Sequence, residues 1–255
     1  MKWISSIVGV CGLYSVALCQ QLEADRPDQT EASSTIPKGS FQIESGLGFQ
    51  NVKIYAGPNP HDLTTENHFT LPTTLFRIAL CNRFEWRVVN TLRFSGVRSA
   101  GHLERNIGID DIETGFKWQL TGENVKWMQM AFLSHVVVPT GSDGNRAFGT
   151  VNKLLVSHDL SDKISIGYNI GHQYFGSGKG DLIYTIAMGF AITDKLGCYL
   201  ENFGQFTDLN SFQTNFDAGL TYYVKDNFML DYSFGAGVRE RMNYQSIGVT
   251  YRFPY

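Results

Sequence analysis

The feature that most constrains this chain is an alternation of apolar and polar residues that runs from Ser40 to the C-terminus. A period of two is typical of a β-strand with one apolar and one polar face, because successive side chains point to opposite faces. The alternation is clearest in residues 182–192, 212–223 and 246–253. On the first predicted strand the apolar face carries Phe41, Ile43, Leu47 and Phe49. The sequence therefore predicts an all-β protein.

The first 19 residues predict an export signal peptide. Lys2 supplies a short basic region, and residues 4–18 are apolar and uncharged. Ala17 and Cys19 place small residues where a signal peptidase requires them, so we expect cleavage after Cys19. The alternative is a lipoprotein acylated at Cys19, which the bulky Leu18 disfavours. Loss of Lys2 would change the formal net charge from −3 to about −4.

If the remaining chain spans a membrane, it must do so as a β-barrel. No apolar run after the signal approaches the roughly 20 residues that a membrane helix needs. Glycine, at 26 of 255 residues, exceeds its usual share of about 7%. The chain is mildly acidic and has no basic stripe, so no nucleic-acid partner is expected. Cys81 and Cys198, which remain after cleavage, form neither a disulfide framework nor a metal-binding spacing.

Short polar turns alternate with longer loops along the predicted barrel. The short turns are at residues 81–83, 121–124, 161–163, 193–195 and 225–227, and the longer loops at residues 56–67, 92–109, 139–148, 175–180, 207–211 and 237–243. Five turns and six loops join about twelve strands and place both ends of the barrel on the short-turn side. This arrangement is typical of outer-membrane barrels, whose short turns are periplasmic. We predict a transmembrane up-and-down antiparallel β-barrel over residues 40–255.

A soluble barrel or β-sandwich would show the same period of two, with its apolar face pointing inward. Three features favour lipid on the outside. The polar face is rich in Gly, Gln, Asn and Thr, as a wet lumen would be. Aromatic residues lie near predicted strand ends, at Trp86, Trp118, Trp127, Tyr174, Tyr223 and Tyr251. The last strand also ends in alternating aromatic residues, Tyr251, Phe253 and Tyr255.

Several motifs resemble a known family. Residues 25–31 (DRPDQTE), followed by residues 37–39 (PKG) and 41–44 (FQIE), resemble the start of the outer-membrane transporter family named for the MetA pathway of phenol degradation. Residues 139–141 and 215–222 extend the resemblance over nearly the whole mature chain. It implies a barrel with a role in the uptake of organic compounds. Two features match no family pattern, Cys198 and residues 92–109.

Sorting the strands by face predicts a set of charged side chains in the lumen. These are Glu44, Arg77, Glu85, Arg87, Glu113, Lys117, Lys153, Glu201, Asp217, Asp231 and Arg252. Most of them lie close to a short turn, and Glu44 and Arg252 lie on the two strands that must pair when the barrel closes. Two interpretations remain open: salt-bridged ladders that fill a narrow lumen, or a charged constriction that selects solutes.

Residues 20–39, between the signal and the barrel, are polar and acidic and show no periodicity. Their charged candidates are Glu23, Asp25, Arg26, Asp28 and Glu31. We predict a periplasmic or lumen-inserted segment that acts as a plug or gate, with its carboxylates meeting basic lumenal residues. A disordered tether and a metal-binding segment are the alternatives.

No catalytic site is predicted. Ser134 and His135 are adjacent on a strand, as are Ser157 and His158, so neither pair can form a nucleophile–base dyad. His135 and Ser157 share the lumenal face but differ in height by about 20 Å. Residues 176–180 (GSGKG) lack the residues and the following helix of a phosphate-binding loop. We expect no enzyme activity, no cofactor and no metal.

The function that the sequence favours is passive diffusion of small organic solutes, including aromatic or hydrophobic ones, across the cell outer membrane. A closed structural or interaction barrel without transport is the alternative. The expected partners are the lipid bilayer, the solute and the outer-membrane assembly machinery.

Overall fold

The computed structural model describes residues 22–55, 63–99, 102–122, 125, 127–140, 147–238 and 241–253. The predicted signal peptide, residues 1–19, lies outside the described residues. In the part of the chain that the structure describes, no helix has the length and apolar character to cross a membrane.

The structure contains one antiparallel sheet that closes on itself. Its strands are β1 Phe41–Tyr55, β2 Leu63–Cys81, β3 Phe84–Ser99, β4 His102–Ile109, β5 Ile112–Gln119, β6 Gln129–Val138, β7 Gly149–Ser161, β8 Ile164–Tyr174, β9 Asp181–Ala191, β10 Leu196–Thr207, β11 Ser211–Lys225, β12 Phe228–Gly237 and β13 Arg241–Phe253. Consecutive strands pair around the ring, except that β4 and β5 both pair with β3, and β1 pairs with both β2 and β13. The predicted all-β barrel is confirmed.

Strands β4 and β5 are two parts of one barrel strand. β5 pairs with the first half of β3, and β4 pairs with its second half, across the interruption at Asp110 and Asp111. Counted this way the barrel has twelve strands, as predicted. The prediction of a long loop at residues 92–109 is wrong, because most of these residues form the β3–β4 hairpin. They lack a clear apolar alternation, but backbone hydrogen bonds between the two strands do not require one.

Other predicted boundaries need correction. The loops predicted at residues 207–211 and 237–243 are shorter, because β10 extends to Thr207, β11 begins at Ser211, and β13 begins at Arg241. The loop predicted at residues 56–67 is shorter, because β2 already begins at Leu63 and pairs there with Tyr55. The turn predicted at residues 121–124 belongs to a longer connection between Gln119 and Gln129. By contrast, four predicted short turns do join consecutive strands, at residues 81–83, 161–163, 193–195 and 225–227. We call their side of the barrel the short-turn end, and the opposite side the long-loop end.

A bulge in β2 determines which of its side chains reach the lumen. One extra residue is accommodated between Thr70 and Thr73, where the chain reads Leu71-Pro72. Proline has no N–H for the ladder, so inside a sheet it belongs at a bulge. The extra residue reverses the alternation, and Phe69 is therefore exposed while Arg77 is fully buried.

The two faces of the barrel wall differ in polarity as a membrane barrel requires. On β12 the inward residues include Asp231 and Ser233, whereas Leu230, Tyr232 and Phe234 are exposed on the outside. Large exposed apolar side chains occur on strands all around the barrel. Trp86, Trp118 and Trp127 are exposed near the short-turn end, where an interfacial aromatic girdle is expected. The two cysteines among the described residues are free thiols: Cys81 ends β2, and Cys198 lies on β10, across the barrel.

The topology can be tested by tagging the two ends of the barrel. An epitope tag inserted after Ser177, in the β8–β9 loop, should bind antibody on intact cells because the longer loops face outward. A tag inserted after Asp226, in the short β11–β12 turn, should be detected only after the outer membrane is permeabilised. Surface labelling of the Asp226 insertion would show that the orientation is inverted.

Candidate functional site

The N-terminal segment, residues 22–40, lies inside the barrel and contacts its inner wall on many sides. It contains no strand or helix, and Leu22 and Ile36 are buried. Its end is attached to β2, since the N–H of Gly39 donates to the carbonyl of Ala79 at 3.1 Å. The N–H of Ile36 donates to a Glu85 carboxylate oxygen at 2.9 Å. The lumen near the short-turn end is therefore filled by the chain itself.

Five charged side chains on β1, β2, β3 and β5 form a buried cluster beneath this segment. They are Glu44, Arg77, Glu85, Arg87 and Lys117, and each is at most 2% exposed. Arg77 Nη1 lies 3.0 Å from Glu44 Oε1, and Arg77 Nε lies 2.9 Å from Glu85 Oε1. Arg87 Nη1 lies 3.0 Å from the same Glu85 oxygen. Three cations thus face two carboxylates, which leaves one positive charge to be balanced.

Asp25 of the N-terminal segment supplies the missing negative charge. Lys117 Nζ lies 2.9 Å and 3.0 Å from its two carboxylate oxygens, and Arg87 donates to one of them. The N–H of Asp25 in turn donates to Glu44 Oε2 at 2.8 Å. We call Asp25 and the five wall residues the ion-pair cluster. Because both partners of each pair are buried, removing one would leave an uncompensated charge, which is strongly destabilising.

Glu31 forms a second attachment on the same side of the lumen. Its carboxylate oxygens lie 2.7 Å from Lys153 Nζ and 2.9 Å from Arg87 Nη2. Burial raises the pKa of this carboxyl, but Lys153 and Arg87 together lower it more, to about 2. A lowered pKa stabilises the bound segment above the carboxyl's ordinary pKa, and this contribution is lost as the pH falls towards 2.

Arg26 attaches the segment to the adjoining wall, at the seam between β1, β12 and β13. Its Nη2 lies 3.0 Å from Asp231 Oδ1 and donates to Ser246 Oγ at 2.8 Å. The guanidinium lies against Gly46 and Gly248, which are paired neighbours on β1 and β13. A β-carbon on either glycine would collide with it. The glycine pair therefore makes the space that this arginine occupies.

A third wall, formed by β9, β10 and β11, contacts the middle of the segment. The N–H of Gln29 donates to Glu201 Oε2 at 2.8 Å, and the hydroxyl of Thr30 bonds to the same carboxylate. On β11 the carboxylate of Asp217 accepts a hydrogen bond from the Tyr244 hydroxyl. The segment thus contacts charged groups on three sides of the lumen.

The residues that were predicted to line the lumen lie at several different contact sites inside the barrel. Glu44, Arg77, Glu85, Arg87 and Lys117 meet in the ion-pair cluster, Lys153 holds Glu31, and Asp231 holds Arg26. Glu201 and Asp217 form the wall opposite the cluster, and Glu113 lies 3.4 Å from His135. Arg252 is buried at the β1–β13 seam opposite Gln42, two residues from Glu44. Sequence reasoning missed the uncharged participants, because Thr30, Ser246 and the paired glycines carry no distinguishing signal.

The residues considered as catalytic or phosphate-binding candidates are not arranged for those roles. His135 pairs with Val151 in the β6–β7 ladder, six positions from Ser157, so the two side chains remain far apart. Ser157 Oγ instead contacts Ser33 Oγ at 2.5 Å. Residues 176–180 lead into strand β9 rather than into a helix.

A cavity of about 510 Å³ lies on the long-loop side of the segment. Its floor includes Asp28, Arg26 and Glu31 of the segment. Its walls include the apolar side chains of Leu75, Val89, Phe203 and Met242, together with Ser233 and Tyr244. The segment therefore separates a solute-sized cavity from the short-turn end.

Comparison with a family model decides the family. The model for the MetA pathway of phenol degradation matches residues 24–253. The chain belongs to this family. The resemblance to this family, which was inferred from motifs in the sequence, is thereby confirmed. No curated protein matches the sequence.

Solved outer-membrane barrels share the fold of this MetA-pathway family member. An outer membrane channel from Pseudomonas putida F1 aligns with a TM-score of 0.67 and 13% identity, over 87% of this chain and 98% of that one. The KdgM porin in complex with disordered oligogalacturonate aligns with a TM-score of 0.56 and 11% identity, over 84% and 99%. The translocator domain of the autotransporter NalP from Neisseria meningitidis aligns with a TM-score of 0.53 and 13% identity, over 86% and 90%. At such identities the likeness concerns the fold alone.

Replacing Asp25 should release the N-terminal segment. In Asp25→Asn the cluster keeps three cations but only two carboxylates, and breaking a buried pair costs about 3–5 kcal/mol. We expect backbone amides of residues 25–36 to exchange hydrogen about 100-fold faster or more, while the strands stay protected. Hydrogen-exchange mass spectrometry of the refolded barrel measures this.

The control for this experiment is Asp162→Asn, which removes the same charge in a short turn outside the lumen. It should leave exchange of the segment unchanged. Equal exchange in Asp25→Asn and the control would show that the ion pairs do not hold the segment.

Proposed function

We propose that this protein is an outer-membrane channel for small organic solutes and that its N-terminal segment is the plug. Membership of the MetA-pathway family and the closed twelve-stranded barrel support a channel. Two of the barrels with the same fold are themselves a channel and a porin. In this assignment the short-turn end faces the periplasm, the signal peptide is removed on export, and the assembly machinery inserts the barrel.

The observation that carries the proposal is the ion-pair cluster around Asp25. Arg87 and Lys117 direct their charged groups to the segment and not to an open pore. The basic side chains that could have formed a bare constriction are thus used to hold the chain in the lumen. This supports a plug more strongly than a tether, since a tether needs no specific charged contacts.

Opening of the lumen requires the plug to move. Its attachment to the barrel at Gly39 has φ +78°, a left-handed conformation that glycine adopts without strain. The polar contacts upstream of this point are made with side chains, and side-chain contacts can be exchanged for contacts with water. Gly39 is therefore a natural pivot for a segment that swings towards the periplasm.

A closed structural barrel is the second candidate function. It is favoured by the burial of the ion-pair cluster and of Leu22 and Ile36, which hold the segment firmly. In that case the segment would be a permanent part of the core, and removing it would destabilise the barrel instead of opening it. The two candidates therefore predict opposite results for the same deletion.

The deciding experiment is single-channel recording in planar bilayers. We expect rare, small openings for the wild type and a sustained larger conductance when residues 22–36 are deleted, because the strands begin only at Phe41. Asp25→Asn should open more often than the wild type, and Asp162→Asn should behave like the wild type. Resistance of the folded barrel to SDS at room temperature provides the check that the deletion variant folds.

Salt provides a further test of the same proposal. Surface ion pairs weaken as ionic strength rises, but buried pairs are screened much less. We therefore expect wild-type open probability to change little between 0.1 M and 1 M salt, where the Debye length falls from about 10 Å to 3 Å. The reason is that Arg77 and Lys117 are fully buried. A folded deletion variant that does not conduct would contradict the channel.

A further inference from the structure

The wall opposite the ion-pair cluster carries carboxyl groups that have no basic partner. Asp28 of the plug lies beside Glu201 on β10 and Asp217 on β11, and we call these three carboxyls the acidic corner. Glu201 and Asp217 are neighbours in the β10–β11 ladder. The ion pairs found among the described residues include none of these three carboxyls. The charged residues nearest in the plug are already used, Arg26 by Asp231 and Glu31 by Lys153.

Buried polar atoms without a partner lie on the same wall. They are the Tyr199 hydroxyl and Ser233 Oγ, on residues that are each at least 94% buried. Strand register places them together: Tyr199 and Ser233 are both paired with Gly219, and Asp217 lies two residues away on β11. Buried polar groups are normally hydrogen-bonded, so an unpartnered group in a native structure needs an explanation. Here Ser233 also lines the cavity, which makes a ligand with hydrogen-bond donors a direct explanation.

The rest of the cavity suits a ligand that carries an apolar group beside its hydrogen-bond donor. Leu75, Val89, Phe203 and Met242 supply apolar surface. Of the acidic corner, Asp28 lines the cavity itself, and Glu201 and Asp217 lie behind it in the wall. Arg26, Arg87 and Lys153 also line the cavity, but each of them is paired with a carboxylate. The volume of about 510 Å³ falls within the range of small-molecule sites. Sites of this kind combine apolar walls with a few convergent polar groups that orient the ligand.

We propose that this cavity binds a small organic cation, with its ammonium group at the acidic corner and its apolar or aromatic body against Phe203 and Met242. The ammonium would pair with the ionised Asp28 carboxylate, and the aromatic side chains of Phe203 and Tyr244, which also line the cavity, favour a cation further. A carboxylate in the same place would be repelled. This inference rests on the proposed channel function and names the class of solute that the channel holds.

Proton release should accompany binding. Burial, and then the neighbouring Glu201, raise the pKa of the Asp28 carboxyl, which lies in the plug and not in a strand. The titratable groups that interact with it are Glu201, Asp217, Asp25 and Tyr199, all of them acids or hydroxyls. An ammonium favours the ionised carboxyl and so displaces its proton. Affinity should therefore rise with pH over the range in which Asp28 ionises.

Calorimetric titration of the refolded full chain in detergent micelles tests this with three probes that share one ring. They are benzylammonium, benzyl alcohol and benzoate, with empty micelles as the blank. We expect benzylammonium to bind about 10-fold or more tighter than benzyl alcohol, and benzoate not to bind detectably. Benzylammonium binding should release protons, which is measured by comparing buffers of different ionisation enthalpy.

Variants assign the effect to the acidic corner. Asp28→Asn should weaken benzylammonium by about 10-fold or more and leave benzyl alcohol unchanged, and Asp162→Asn should alter neither. Asp217→Asn, which leaves the plug sequence intact, should show the same selective loss. Hydrogen exchange of residues 25–36 verifies that the plug stays in place in each variant.

Two results would overturn the inference. One is benzyl alcohol binding as tightly as benzylammonium, and the other is benzylammonium binding that neither Asp28→Asn nor Asp217→Asn weakens. Either would leave the channel proposal intact, because conductance of the plug deletion tests that separately. A non-conducting but folded deletion variant would reject the channel without deciding what the cavity binds.

Discussion

The antiparallel pairing of β1 with β13 closes the sheet, and every other feature of the structure depends on this closure. An open sheet would expose two edges of unpaired N–H and C=O groups to lipid, where no water can satisfy them. The pairing extends from Phe41 opposite Phe253 to Lys53 opposite Arg241. Closure also creates an interior. Because side chains alternate, the polar half of each strand must point into that interior and find partners there.

The N-terminal segment supplies the partners that the lumenal side chains of the barrel wall need. Arg77, Arg87 and Lys117 bring more positive charge to one side of the lumen than Glu44 and Glu85 can balance, and Asp25 completes the set. Isolated buried charges would be very costly, whereas mutually paired ones are tolerated. The same segment that pairs with the lumenal charges also fills the lumen, so the contacts that stabilise the barrel interior are those that keep this end of the lumen filled.

Much of the fold could be predicted from local pattern. Alternation identified the strands and the inward face, and polar turns such as residues 161–163 identified where strands reverse. The β3–β4 hairpin was not predicted, because its residues do not alternate between apolar and polar and its backbone pairing leaves no signal in the sequence. The alternation along each strand predicted which charged residues point into the lumen, but it could not predict which residues pair with them. Asp25 and Lys117 are 92 residues apart in the chain, and only closure brings them together.

By itself, the sequence determined the class of structure: strands with one apolar and one polar face, in an order of short and long connections that requires a barrel. It did so because amphipathic alternation and turn chemistry are local properties of the chain. The tertiary structure alone decided that the N-terminal segment lies in the lumen, that Arg26 fits against Gly46 and Gly248, and that carboxyls without a basic partner lie beside a cavity. These depend on the curvature and register of the closed sheet, which set distances between residues that no local pattern relates.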